Sequence, residues 1–144
     1  MNSQIKTLHI DIVSIEKEIY SADVEQVIAT GESGELGVMP GHTALLAKLK
    51  PGAVTLVKNG KSQLFYVSGG ILEVQPYLVT VLADTAAHAS DLDEMKAIEA
   101  AEKAEKALKD KQSTIDSSHA SAELAKAMAQ LQVISKLRDR LNIN

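Results

Sequence analysis

The sequence lacks cysteine and tryptophan, and it holds only three tyrosines and one phenylalanine among 144 residues. Without cysteine the chain can form no disulfide and no thiolate site, and we expect a cytoplasmic setting. So few aromatic rings cannot provide a stacking surface for bases, and a net charge of −4 disfavours contact with a phosphate backbone. We therefore expect no nucleic-acid partner.

Long apolar runs are also missing. The most apolar stretch, Leu78–Ala83, is far shorter than the ~20 residues that a membrane-spanning helix needs. The N-terminal Met1–Lys6 has no apolar run behind its positive charge, so it does not have the pattern of a signal peptide. We expect no direct membrane insertion, and any association with a membrane would come through another protein.

Glycine and proline are absent from the second part of the chain, since all eight glycines and all three prolines precede Tyr77. Both residue types collect in turns and are disfavoured inside helices. The part after Tyr77 is instead rich in alanine, glutamate, lysine and leucine, which favour helix. This division predicts a small β-sandwich or barrel over residues 1–85, followed by an αα-hairpin over residues 86–144.

Strand signals recur through the first part. Leu8–Ile12 alternates apolar and polar residues, and Val24–Thr30 is rich in β-branched residues, so both are predicted strands. No helical crossover of the length that parallel strands need is visible, which disfavours an α/β fold. The segment His42–Leu49 could form a short helical turn, and its structure stays open.

Two hairpins are predicted from their turns. Asn59 and Gly60 suit the two positive-φ positions of a type I′ turn, so Ala53–Lys58 and Lys61–Val67 should pair. A second hairpin is predicted around Gln75–Tyr77.

The second part has the signals of two helices. Asp91 followed three residues later by Glu94 predicts a capping box at the first helix. Three glutamate–lysine pairs would support it: Glu99–Lys103, Glu102–Lys106 and Glu105–Lys109. Its apolar face consists of small side chains: Ala97, Ala100, Ala101, Ala104 and Ala107.

The polar segment Gln112–Ser118 predicts a loop. The second helix then presents one apolar stripe: Leu124, Ala127, Met128, Leu131, Ile134, Leu137 and Leu141.

No pattern for catalysis or metal binding is visible. The four histidines are scattered singly: His9, His42, His88 and His119. Gly31, Gly34 and Gly37 match neither the dinucleotide fingerprint nor a P-loop. Tyr66 stands where a nucleophile elbow around Ser68 needs its first glycine, so Ser68 to Gly70 predicts a bulge or corner. We expect no enzyme activity, no metal and no cofactor.

Five segments together resemble the epsilon subunit family of bacterial F-type ATP synthase. None is a catalytic signature alone, and the resemblance rests on their order and spacing along nearly the whole chain. The segments are Gly34–Leu46 (GELGVMPGHTALL), Ser68–Pro76 (SGGILEVQP), Val81–Ala86 (VLADTA), Leu92–Ala97 (LDEMKA) and Ser121–Leu131 (SAELAKAMAQL).

The resemblance implies a flattened β-sandwich of about ten strands followed by an αα-hairpin. It implies a non-catalytic rotor subunit in the central stalk of a proton-translocating ATP synthase, peripheral at the cytoplasmic face of the bacterial inner membrane. Its expected partners are the gamma subunit and the ring of membrane subunits, both through the sandwich. The hairpin would contact the alpha and beta subunits of the catalytic head and inhibit ATP hydrolysis.

The resemblance also assigns residues to these contacts. The ring contact falls on the loop from Ser33 to His42: Glu35, Leu36, Val38, Met39 and His42. The inhibitory tail would use Lys136, Arg138 and Arg140.

Weak nucleotide contact would fall on Asp93, Lys96 and Lys126. Lys96 and Gln130 stand where nucleotide-binding relatives have arginine or another basic residue, and lysine forgoes bidentate phosphate contact, so we expect little ATP binding. Ala44 replaces a proline of the family, which predicts a less rigid loop.

Two other interpretations stay open. One is a β-sandwich binding module that dimerises through its helical hairpin. The other is a hydrolase that uses Ser68 with His42 and Asp84, against which the missing elbow argues. Co-purification with a gamma subunit would separate the rotor hypothesis from both.

Overall fold

The computed structural model describes residues 6–110 and 114–142, which belong to two compact units. The first unit ends at His88 and the second begins at Ala89. The boundary lies just beyond the predicted one at residue 85, because Ala86–His88 form a strand that pairs within the first unit.

The described part of the first unit is a single curled sheet of nine strands, against the ten or so that the resemblance implied. The strands pair in the order β2-β1-β8-β7-β5-β3-β4, and β6 pairs with both β5 and β9. Only the β1–β8 pair is parallel among these. The strands are β1 (Leu8–Ser14), β2 (Glu18–Val24), β3 (Gln26–Gly31), β4 (Gly34–Val38), β5 (Leu45–Lys58), β6 (Lys61–Val67), β7 (Gly70–Gln75), β8 (Leu78–Ala83) and β9 (Ala86–His88).

The long strand β5 joins the two layers of the sandwich. Its first half, Leu45–Leu49, pairs with β7, and its second half, Gly52–Lys58, pairs with β6. Lys50 and Pro51 lie at the change of partner, where a proline without an N–H costs no ladder hydrogen bond. The predicted sandwich is confirmed, and its two layers are connected through this shared strand.

The core lies between the two layers and is entirely aliphatic apart from Phe65. Alternate residues of each strand point inward, and each fully buried large side chain contributes about 1.5–3 kcal/mol. The largest of them are Phe65, Leu8, Ile10, Ile12, Leu56 and Leu72.

The turns follow the glycine chemistry of the sequence. Asn59 (φ 52°) and Gly60 (φ 73°) both adopt positive φ between β5 and β6, so the predicted type I′ hairpin is confirmed. The second predicted hairpin, β7 with β8, is confirmed as well. Gly69 (φ 128°) and Gly70 (φ 140°) form the predicted corner before β7.

Two strand predictions were incomplete. The run Val24–Thr30 contains two strands, because Val24 ends β2 and Gln26 begins β3. Most of β2 was missed, since polar residues occupy its solvent face. The segment His42–Leu49, left open as a helical turn, contains the start of β5 at Leu45.

The second unit is an antiparallel αα-hairpin, as predicted. A single 3₁₀ turn, Ala89–Asp91, precedes α1 (Glu94–Asp110), and α2 spans Thr114–Asn142. The guanidinium of Arg138, near the end of α2, lies 2.7 Å from the carboxylate of Glu94 at the start of α1, so the helices run in opposite directions.

Two helix boundaries differ from prediction. The cap of α1 is Asp93 rather than Asp91: its Oδ1 accepts a hydrogen bond from the Lys96 backbone N–H at 3.2 Å. The predicted loop Gln112–Ser118 is wrong from Thr114 onward, where the backbone is already helical. Residues 112 and 113 lie outside the described residues.

The buried faces of both helices also differ from the predicted ones. Ala97, Ala101 and Ala104 are buried in α1, whereas Ala100 and Ala107 are exposed. In α2 the expected stripe fails at Met128 and Leu141, which are exposed; the buried residues are Ala120, Ala127, Ala129 and Val133. Among the described residues, the three predicted glutamate–lysine pairs of α1 form no ion pair, and the second unit's ion pairs are Glu123–Lys126 and Glu94–Arg138.

Candidate functional site

The segment predicted to be a contact loop is mostly an edge strand. Residues Gly34–Val38 form β4, which pairs with β3 and ends the order of the sheet. Strand alternation turns Leu36 and Val38 toward the core and leaves Glu35 exposed. Val38 is only 1% exposed, so this side chain, although assigned to the ring contact, is buried in the core.

The turn after β4 is held to another loop of the sandwich. The Gly41 N–H donates to the Pro76 carbonyl at 2.7 Å, and the His42 N–H donates to the Met39 carbonyl at 3.1 Å. The His42 ring donates from Nδ1 to the Thr43 carbonyl at 2.7 Å. Met39 stays 59% exposed beside this anchored turn, and Tyr77, which no sequence motif marked as a contact residue, is exposed on the adjoining loop.

The predicted contact residues therefore form two spots rather than one. Glu35 and Met39 are four strand positions apart, which is about 13 Å. A cleft of about 430 Å³ lies on the Glu35 side, lined by residues 31–36 and 45–48. Exposed Leu46 belongs to this cleft, so the spot around Glu35 combines a carboxylate with apolar surface.

A second exposed surface crosses the outer face of the other layer. Ile71 of β7 is opposite Leu82 of β8, and Leu82 is beside Val13 of β1. Leu82 is 47% exposed, and Ile15, just beyond β1, is 94% exposed. We call Val13, Ile15, Ile71 and Leu82 the apolar row. Simple strand alternation did not reveal it, because a solvent face is expected to be polar.

The last turns of α2 carry three basic residues, one of which forms an ion pair. Arg138 Nη2 lies 2.7 Å from Glu94 Oε2. Lys136 and Arg140 are exposed, and so is the neighbouring Leu141. Of the three residues assigned to the tail, Lys136 and Arg140 are thus available for contact with another surface.

The three residues assigned to nucleotide contact do not come together. Asp93 caps α1 and lies one turn from Lys96. Lys126 instead approaches Glu123 at 3.6 Å on α2. Lys126 precedes Arg138 by twelve residues, which is about 18 Å along a helix. Because Arg138 contacts Glu94, Lys126 lies far along the hairpin from the start of α1, where Asp93 and Lys96 are.

Two of the three residues of the hydrolase hypothesis, Ser68 and His42, bind backbone groups. Ser68 is buried, and its Oγ accepts from the Thr85 N–H at 2.9 Å and donates to the Thr85 carbonyl at 3.3 Å. The His42 ring is bound to its neighbour's carbonyl. Ser68 therefore holds the corner before β7 to Thr85, which lies between β8 and β9. Across the described ranges, no three histidine or acidic side chains are grouped to hold a metal ion.

The fold thus defines a class: a β-sandwich followed by a helical hairpin. Residues 7–89 match the family described as "ATP synthase, Delta/Epsilon chain, beta-sandwich domain", and residues 90–135 match its "long alpha-helix domain". No helix in the described part of the chain is long and apolar enough to cross a membrane.

Known proteins resemble this chain in sequence and in fold. The chain is 52% identical to the ATP synthase epsilon chain of Nitrosococcus oceani, over 94% of this chain and 97% of that one. It is 54% identical to the epsilon chain of Chromohalobacter salexigens, over 90% and 93%. A chain of the Euglena gracilis mitochondrial ATP synthase, solved with its c-ring, shares the fold with a TM-score of 0.68 at 21% identity, covering 99% of this chain and 86% of its own. The chain belongs to the ATP synthase delta/epsilon family and is an epsilon-type, non-catalytic subunit.

Proposed function

We propose that the chain is a rotor subunit of a bacterial proton-translocating ATP synthase, peripheral at the cytoplasmic face of the inner membrane. The sandwich links the gamma subunit to the membrane ring, and the hairpin inhibits ATP hydrolysis in the catalytic head. The observation that carries the linking role is the presence of two separate exposed surfaces on one rigid sandwich. One is the apolar row, and the other contains the two spots around Glu35 and Met39.

The apolar row is the proposed contact with the gamma subunit. Val13, Leu82 and Ile71 are in register across three strands, Val13 half-buried and the other two exposed, and such a contiguous aliphatic patch is typical of a protein interface. Leu82→Glu should weaken binding of a purified gamma subunit at least about tenfold, because it would bury a charge. Gln63→Glu adds the same charge at an exposed position of β6 and should bind normally. Equal binding by both variants would refute this assignment.

The membrane ring is proposed to meet Glu35 and Met39, with His42 shaping the turn. The chain has no native cysteine, so Glu35→Cys and Met39→Cys each introduce a unique thiol. Both should crosslink to cysteines in the polar loops of the ring, whereas exposed Ser62→Cys on the β5–β6 hairpin should not. Failure at both positions in an assembled complex would contradict the ring contact.

The hairpin is proposed as a detachable inhibitory arm acting through Lys136, Arg140 and Leu141. We call the buried alanines of the two helices the alanine seam: Ala97, Ala101, Ala104, Ala120, Ala127 and Ala129. Because these side chains are small and bury little apolar area, opening the hairpin should cost modest free energy. Two exposed cations and an exposed leucine suit an acidic, partly apolar groove of the catalytic head. Truncation after His88 keeps β9 and should raise ATP hydrolysis without loss of assembly. Unchanged hydrolysis in a fully assembled complex would remove the inhibitory role.

A further inference from the structure

A compact cluster of polar side chains joins β1 to the edge strand β2 on the outer face of the sandwich. His9 is opposite Asp23, and Asp11 is opposite Ser21, so the four side chains share one face. Nδ1 of His9 lies 2.8 Å from Asp23 Oδ1, and Nε2 lies 2.8 Å from Ser21 Oγ and 3.1 Å from Asp11 Oδ1.

The geometry determines which form of the His9 ring fits. The Ser21 hydroxyl donates its proton to Asp11 Oδ1 at 2.7 Å, so its oxygen faces His9 Nε2 as an acceptor. Asp23 faces Nδ1 with a carboxylate oxygen, which also accepts. Both ring nitrogens therefore meet acceptors, and only the doubly protonated imidazolium can donate to both.

Within residues 6–110 and 114–142, only Asp11 and Asp23 act as charged groups on the pKa of His9. On the far side of β1, strand β8 places Leu78 beside His9 and Thr80 beside Asp11, and neither side chain titrates at neutral pH. The hydrogen bond to Asp23 raises the pKa of His9 above its ordinary 6.5, desolvation opposes it, and the charge and hydrogen bond of Asp11 raise it further. The ring is 41% exposed, so protons reach it freely.

We infer that His9, Asp11, Ser21 and Asp23 form a pH-sensitive clasp that fastens edge strand β2 to the sandwich. β2 pairs with β1 alone among the described strands, and their register shifts between Ile12 and Val13. Its inward residues Tyr20 and Ala22 pack on the core. The clasp thus supports the strand that covers one margin of the core. This role belongs to the isolated chain and does not depend on any partner.

The direction of the pH effect follows from linkage. A pKa that is higher in the folded chain stabilises the fold fully below the unfolded value, and this contribution is lost as pH rises through the folded value. The clasp is therefore closed at acidic pH and opens on the alkaline side of 6.5. Opening should loosen β2, whose inner side chains Tyr20 and Ala22 would keep their contacts with the core.

Titration of His9 by NMR in the full-length chain, from about pH 5 to about pH 9, tests the electrostatic part. His9→Gln assigns the signal. The wild-type pKa should lie above 6.5 and fall in Asp23→Asn and Asp11→Asn. Glu18→Gln removes one negative charge from the same strand without touching His9, and it should leave the pKa in place. A wild-type value at or below 6.5, or an equal fall in Glu18→Gln, would overturn the inference.

Hydrogen exchange and denaturation test the structural part. At acidic pH, β2 amides should exchange about fivefold faster in Asp23→Asn than in the wild type, which matches the loss of one hydrogen bond. The difference in urea midpoint between wild type and His9→Gln should vanish as pH rises through the His9 pKa. A difference that stays constant across that range would show that the cluster is no switch. If His9→Gln does not fold, the same comparison is made with Asp11→Asn and Asp23→Asn.

Discussion

Arg138 and Glu94 are 44 residues apart in sequence, yet Nη2 of the first lies 2.7 Å from Oε2 of the second. This ion pair joins the end of α2 to the first turn of α1. Glu94 also suits the helix N-terminus, where a negative charge complements the helix dipole. The pair therefore closes the open end of the hairpin, next to the two exposed cations that we propose for inhibition.

Breaking this pair should loosen the hairpin slightly. Both side chains are about half exposed, so Glu94→Gln or Arg138→Gln should cost about 0.2–1 kcal/mol, and high salt should reduce the effect. A double-mutant cycle followed by hydrogen exchange of the first turn of α1 measures the coupling. Lys136→Gln, which removes an exposed positive charge nearby, is the control. Coupling indistinguishable from zero at low salt would contradict a closing role.

The alanine seam should resist a larger side chain. Ala97 is 1% exposed, so Ala97→Leu should destabilise the second unit by about 1–3 kcal/mol through overpacking. Ala100→Leu, at an exposed position of the same helix, should change stability by less than about 0.5 kcal/mol. Urea unfolding monitored by helical circular dichroism compares the two. Equal effects would mean that the seam is not packed as described.

The corner before β7 should reject any side chain at Gly70. Its φ is 140°, and an added Cβ would collide with the carbonyl oxygen of Leu82. Gly70→Ala should therefore destabilise the sandwich by about 2 kcal/mol or more. Gly37→Ala is the matched control, because the nearest atom to its Cβ would be Gln26 Nε2 at 3.8 Å. Thermal unfolding measures the stability of both variants. Equal stability of Gly70→Ala and Gly37→Ala would contradict the collision at Gly70.

ATP should not stabilise the folded hairpin of this chain at sub-millimolar concentration. Lys126 is about 18 Å along the hairpin from the level of Glu94, which lies between Asp93 and Lys96 in sequence, so the three cannot hold one phosphate group together. Calorimetric titration of the full chain should show no saturable heat. A clear saturable heat, lost in Lys96→Ala, would show that these residues do assemble around the nucleotide.

Features encoded by neighbouring residues were predictable from the sequence. Asn59 and Gly60 define their turn through their own backbone preferences, so the β5–β6 hairpin follows directly. The parallel pairing of β1 with β8 joins segments about seventy residues apart and follows from no local preference. Strand β2 was missed because Ser21 and Asp23 are polar, a choice that the contacts with His9 explain.

The sequence predicted some of the exposed residues of the candidate site but not the backbone structure that holds them. Glu35 and Met39 are exposed as expected, yet glycines around β4 suggested a loop where pairing with β3 makes a strand. That pairing turns Val38 inward, which no local pattern shows. The contact of Arg138 with Glu94 depends on the helices folding back on each other, so it becomes visible only in three dimensions.

Strand β5 has a mechanical consequence for the rotor role that we propose. Its two halves pair with β7 in one layer and β6 in the other, so the layers share a continuous backbone through Lys50 and Pro51. Torque applied to one face of the sandwich therefore reaches the opposite face through covalent bonds as well as through side-chain contacts. The layers cannot slide past each other as two separate sheets could, and the sandwich should twist as one stiff body under load.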